Sequence, residues 1–360
     1  IKTQGVTGKQ VYAIAGGYVS RIKVSANSYG HALYIHHPDK GVTSVYGHLK
    51  SFNSALEDYV KDHQYKQKRF EVQLFPEKGM FPVKKGDLIG LSGNSGSSEG
   101  PHLHFEIRSL NHQKPLNPLS YNFNITDHIA PKIFNTAIYP AGDHAAVDGH
   151  QKKKIIDVVS TGRDQYTLLN ASMPQVTGRV GFGIRAYDFL DGSPNWCGLY
   201  TVKLYVDSLL MYHHQMDGFS FYETRYINSV IDYEEKVRNN QSFLKTYRQP
   251  NNKLSIYEYL RNDGFFNFRD DTTHTITFRI TDAYDNTSEL NFKVRSTSRK
   301  TDTVYHANGS EGTVMPYNEK NTFLREDIRL NFPRNAFYDT LAFTYHKEGP
   351  PYDEGSFFSD

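Results

Sequence analysis

The sequence has 360 residues, 38% hydrophobic and 14% aromatic, enough for about two to three domains with buried cores. Its 41 basic and 39 acidic residues leave a net charge of +2, with no long tract of one sign, which excludes the basic footprint of a nucleic-acid binder. The single cysteine, Cys197, excludes an intrachain disulfide framework and a C-x-x-C metal site, and no run approaches the ~18 apolar residues of a membrane helix.

Residues 1–121 read as one β-rich unit. Short alternating runs recur, QVYAIAGGYVSRIKVS, HALYIHH, TSVYGHL, DLIGLSG and HLHFEIRS, bounded by Gly, Asn, Pro and Asp. Gly16-Gly17 and Tyr29-Gly30 read as turns. One stretch interrupts them: FNSALEDYVKDHQYKQKRFEVQLFPEKG, whose helical spacing of Leu56, Tyr59 and Val60 predicts one charged, solvated helix leaving the β core. Residues 117–132 read as a linker. Beyond it, residues 130–298 predict an antiparallel β-sandwich with two helical insertions, RYINSVIDYEEKVRN and LSIYEYLRN. Residues 299–360 read as the start of a further β unit. The fold class is therefore mainly β.

The chemistry concentrates in GPHLHFEIR, residues 100–108. On a strand, residues two apart share a face, so His102 and His104 project side by side. Such a pair suits a metal or a catalytic dyad, and equally suits two polar residues on a solvated face. Three neighbours favour chemistry. The loop GNSGSSEGP delivers the strand, and its glycines allow backbone to lie close to a ligand. His48 follows a glycine in SVYGHLKSF. The run QVYAIAGGYVSRI lies near the start.

In this order, VYAIAGGYV, YGHL, VKKGDLIGLSGNSG and GPHLHFEIR resemble the lysostaphin-type zinc metallopeptidases (peptidase family M23), bacterial enzymes that cut the peptide part of peptidoglycan. The resemblance covers residues 1–121. It implies that His104 is a ligand of one Zn2+ ion and that His48 and His102 are catalytic, one as general base and the other stabilising the oxyanion. The family's other ligands, a His and an Asp in an H-x-x-x-D motif, would fall at or before Ile1. With one of three ligands, the chain as given is expected to hold zinc poorly and to be inactive, as a piece cut just after that motif from an active, exported parent. The resemblance further implies peptidoglycan stem or cross-link peptides as substrate and a periplasmic or extracellular location, with a protein partner for the sandwich left open. The alternative is a degenerate, non-catalytic relative that binds and activates another cell-wall hydrolase.

Other residues attract the blander reading. His31, His36 and His37 cannot all meet one metal from a straight strand, and His213-His214 has no ligand partner at useful spacing. Glu106 continues the face of His102 and His104. Cys197 beside Trp196 reads as an inert thiol.

Overall fold

The computed structural model describes residues 1–142, 144–170, 173–298, 312–325 and 327–347. It is mainly β, and it divides into two compact units: residues 1–124 with 217–224, and residues 125–216 with 225 onward.

In the first unit the strands are β1 (Gln10–Tyr12), β2 (Gly17–Val24), β3 (His31–His37) and β4 (Val42–Phe52). Helix α1 (Ser54–Gln67) follows, then β5 (Val72–Leu74), β6 (Pro82–Val83), β7 (Leu88–Ser92), β8 (His104–Ser109) and β9 (Pro115–Leu116). They form one nine-stranded sheet whose main path runs β1-β7-β4-β3-β2-β5, with β8 on β4, β9 on β8 and β6 on β2. Every pairing is antiparallel. Alternation of apolar residues sends Val19, Ile22, Leu33, Ile35, Tyr46, Leu49 and Ile89 into the core. Helix α1 starts where the Asn53 side chain accepts from Leu56 N (3.1 Å). It buries only Leu56 and Val60, so its charged residues face solvent as the sequence predicts.

Strand β4 positions the site. Its N-terminal half pairs with β8 up to Gly47 opposite His104, and its C-terminal half pairs with β7 from Leu49 opposite Ser92. On its other edge the register to β3 shifts between His31 opposite Leu49 and Leu33 opposite Tyr46, which is a bulge of one residue. The change of partner and the bulge fall together at Gly47-His48, and His48 has φ 57°. A left-handed conformation is costly for a histidine and is held here by the flanking ladders.

The second unit is built on a thirteen-stranded sheet. Strand Gln175–Phe189 pairs antiparallel with Lys132–Pro140, and Thr273–Thr281 lies between Thr201–Val206 and Thr287–Ser296. The latter also makes two short parallel contacts, with Gln165–Leu168 and with the start of Gln175–Phe189. Phe182, Phe268, Phe278, Ile280 and Leu290 are central in its core. One expected helix is absent. LSIYEYLRN instead contains the strand Tyr257–Leu260, which pairs antiparallel with Leu209–Gln215. Its tyrosines suit a pleated surface, and an available sheet edge outweighs the weak helical spacing of so short a run. The other insertion is helical over Ile227–Val230 and Tyr233–Asn239, broken where Asp232 caps the second helix by accepting from Glu235 N (3.2 Å). Of the expected 299–360 unit, residues 299–311, 326 and 348–360 lie outside the described residues. The rest form two strand pairs, Thr313–Met315 with Leu341–Phe343 and Asn321–Arg325 with Ile328–Phe332. Among the described residues no helix is long and apolar enough to cross a membrane.

Candidate active site

His48, His102 and His104 converge, with one ring nitrogen from each within 4.8 Å of the others. His104 opens β8, whereas His102 lies just ahead of the strand in isolated bridges to Lys2 and Gly93. Both reach the gap at which β4 exchanges β8 for β7. The His48 and His102 ring centroids are 4.8 Å apart, and the His48 ring stands edge-on to His104 at 5.6 Å.

Each histidine is tied from behind. His48 Nδ1–H donates to the Ser95 carbonyl (2.8 Å) and His102 Nδ1–H donates to the Gly100 carbonyl (2.8 Å). His104 Nε2–H donates to Glu106 Oε1 (2.6 Å). Because a carbonyl or carboxylate only accepts, these contacts set the tautomers: Nε2 of His48, Nε2 of His102 and Nδ1 of His104 carry lone pairs. Burial, reinforced by its two histidine neighbours, holds the His48 imidazole below its ordinary value despite the Ser95 carbonyl.

Glu106, which alternation placed on the face of His102 and His104, is the acceptor behind His104. Burial alone would raise its carboxyl, but His104, Arg108 and Tyr29 all donate to it, and it is lowered to about 2. The Arg108 guanidinium reaches it at 2.6 Å through Nε. Tyr29, buried beside this carboxylate, is pushed up to about 12, and its ring lies 4.5 Å from that of His104. Glu106 is thus a fixed anion orienting His104. The i+2 alternation through His102, His104 and Glu106 was the available sign.

The Gly/Ser loop acts differently from expectation. A Cβ on Gly96 would meet Gly30 N at 2.3 Å and Ser28 O at 2.4 Å, and one on Gly30 would meet Gly96 N at 2.6 Å. Both have positive φ. The glycines let loop backbone pack against the 28–30 turn. The loop is then pinned as Ser95 Oγ donates to the Leu49 carbonyl (2.9 Å) and accepts from His31 N (2.9 Å). That fixes the Ser95 carbonyl on which His48 rests.

The other histidines stay apart. His36 contacts Tyr18 Oη (3.4 Å), and buried His37 bridges Gly16 O and Ser44 Oγ. His31 stacks on Phe52. Fully buried His214 contacts Tyr212 Oη (3.0 Å). The Cys197 thiol is pushed up by burial.

The model of peptidase family M23 matches residues 77–118, which include His102, His104 and Glu106. Over 113 residues the chain is 34% identical to the DD-carboxypeptidase/endopeptidase Mpg of Neisseria meningitidis serogroup B, covering 31% of this chain and 20% of that protein. The Neisseria gonorrhoeae Mpg matches equally. Residues 77–118 are thus similar to peptidase family M23. The chain spans about a fifth of the length of the curated relatives it matches. Among solved structures, the chain is similar to the catalytic domain of a prophage-encoded M23 protein, EnpA, from Enterococcus faecalis. That match has 26% identity, covers 32% of this chain and 72% of that one, and has a TM-score of 0.23. The catalytic domain of lysostaphin from Staphylococcus simulans matches at 25% identity over 29% of this chain and 62% of that one, with a TM-score of 0.21.

A cluster of imidazoles, each with one nitrogen held by a carbonyl or carboxylate, suits a borderline-soft divalent ion such as zinc and suits calcium or magnesium poorly.

Proposed function

We propose that the first unit is the catalytic part of a zinc-dependent endopeptidase acting on peptidoglycan stem or cross-link peptides in the bacterial envelope, in the periplasm or outside the cell. The observation that carries this reading is the convergence of His48, His102 and His104, with one ring nitrogen of each within 4.8 Å of the others. The relatives named DD-carboxypeptidase/endopeptidase support the bond type.

In this reading His104 holds the ion through Nδ1, with Glu106 fixing its ring. Leu103 N donates to the Ile1 carbonyl (2.9 Å), which ties Ile1 to the residue between His102 and His104. Bound zinc supplies Lewis-acid polarisation of the scissile carbonyl and acidifies water. One of His48 and His102 takes the water's proton through Nε2 and hands it to the leaving amine. The other faces the carbonyl oxygen and stabilises the charge that develops there. The second unit, read as a β-sandwich, positions the enzyme or a partner.

The test is digestion of purified peptidoglycan by the parent protein, with released peptides identified by mass spectrometry and zinc measured by atomic absorption. Cleavage should stop with 1,10-phenanthroline, return with zinc, and disappear with the bound metal in His104→Ala. Cleavage that survives both chelation and His104→Ala overturns the reading.

A further inference from the structure

A second cluster lies wholly within the second unit. Asp127 precedes the strand Lys132–Pro140, Asp188 sits near the end of Gln175–Phe189, and Asp282 follows Thr273–Thr281. The three are 7%, 2% and 1% exposed, and one carboxylate oxygen from each lies within 4.8 Å of the other two.

These carboxylates are held in place, yet their charge is not met. Ile129 N donates to Asp127 Oδ1 (3.1 Å). Tyr284 N and Asn286 N donate to Asp282 Oδ1 (2.8 and 2.9 Å), and Asn286 Nδ2 donates to Asp282 Oδ2 (2.8 Å). The Asn286 amide also reaches the Asp127 carbonyl (3.2 Å), tying two of the three together. Asp127 Oδ2 and Asp188 Oδ1, by contrast, are buried with no hydrogen-bond partner. Among the described residues no Lys, Arg or His pairs with any of the three; the nearby His128 is engaged by Asp191 (2.8 Å).

Three ionised carboxylates removed from water without a counter-charge are strongly unfavourable. Protons or a cation can relieve them. Burial, with Asp282 beside it, already pushes the Asp188 carboxyl up to about 6, so at neutral pH protons relieve it only in small part. The donors are oxygen only. Cys197, paired with Asp188 across the strands, has its thiol raised by burial and by these same carboxylates, so it stays protonated and is a poor ligand. Oxygens placed 2.3–2.6 Å from a central ion span roughly 5 Å across it, which matches one calcium.

We propose that Asp127, Asp188 and Asp282 bind one calcium ion, which ties the segment opening the second unit to the ends of two of its strands. The bound ion replaces the missing counter-charge and stabilises this unit by mass action, since the unfolded chain has no such site.

Calorimetric titration of CaCl2 into the whole chain, freed of metal with EGTA, should show about one equivalent bound. Saturating calcium should raise the melting temperature of the second unit by roughly 5 °C. Asp188→Asn and Asp282→Asn should lose both responses. In EGTA, Asp188→Asn should melt no lower than the wild type, because it removes one repelling charge. Should either variant fail to fold, the wild-type titration still decides. Absence of calcium heat together with an EGTA-insensitive melt overturns the proposal in favour of shared protons. Calcium binding that persists in both folded variants overturns the location, and an equal response to MgCl2 overturns the choice of ion.

Discussion

Each unit gathers three metal-capable side chains in its sheet, and the two clusters are built on opposite logic. The first unit brings together three imidazoles, of which His104 is the proposed zinc ligand and His48 and His102 the proposed proton-transfer pair. Every one has its rear nitrogen bonded to a carbonyl or a carboxylate, so the cluster is satisfied whether or not an ion is present. The aspartates of the second unit are charged ligands, more deeply buried, with two oxygens left unpartnered. A neutral donor can wait beside water, where it is free for chemistry. A buried anion needs its cation as part of the fold. In the two proposals above, the first arrangement serves turnover and the second stability.

The largest expected effect tests the catalytic half of that contrast. His48→Ala and His102→Ala in the parent protein should each lower kcat for peptide release by roughly 10²–10⁴, with zinc content unchanged and no change in the calcium-dependent melt. Loss of zinc in either variant would move that residue from proton transfer to ligation.

Next comes the support of His104. Glu106→Gln keeps the shape but removes the anion held between His104 and Arg108. Zinc affinity in the parent, measured by competition with a chromogenic chelator, should fall by about 10- to 100-fold. Unchanged affinity would make Glu106 a structural ion-pair partner only.

His214 sharpens the contrast by showing what a histidine costs when it is buried. Its ring is fully enclosed, Nε2 has no partner, and burial lowers it to about 3. The folded value lies below the unfolded one, near 6.5, so the native state binds fewer protons than the unfolded chain. Its contribution is complete above pH 6.5 and is lost as pH falls toward 3. At pH 5 this amounts to about 2 kcal/mol. Urea midpoints at pH 7 and 5 should show this loss in the wild type and a loss smaller by that amount in His214→Asn. Equal acid sensitivity in both would show that His214 does not titrate in this range.

Much of the first unit was legible in the sequence because its signals are local. Period-two alternation marked the strands, charge marked the exposed face of α1, and GPHLHFEIR marked two of the three histidines that converge. Tyr257–Leu260 was misread as helical because its pairing partner, Leu209–Gln215, is more than forty residues away in the chain. The aspartate cluster was invisible for the same reason. Asp127, Asp188 and Asp282 sit in three separate segments, and isolated acidic residues near strand ends are ordinary turn formers.

By itself the sequence determined the mainly β class and the resemblance of the first unit to peptidase family M23, since alternation and short motifs need only neighbouring residues. Tertiary structure alone decided how the residues of the site meet. It placed the bulge and change of partner at Gly47-His48, brought His48 beside His102 and His104, and put Glu106, Arg108 and Tyr29 around the His104 ring. The physical reason is register. One extra residue in β4 redirects a side chain without altering its local pattern, and only the partner strands record where that residue lies.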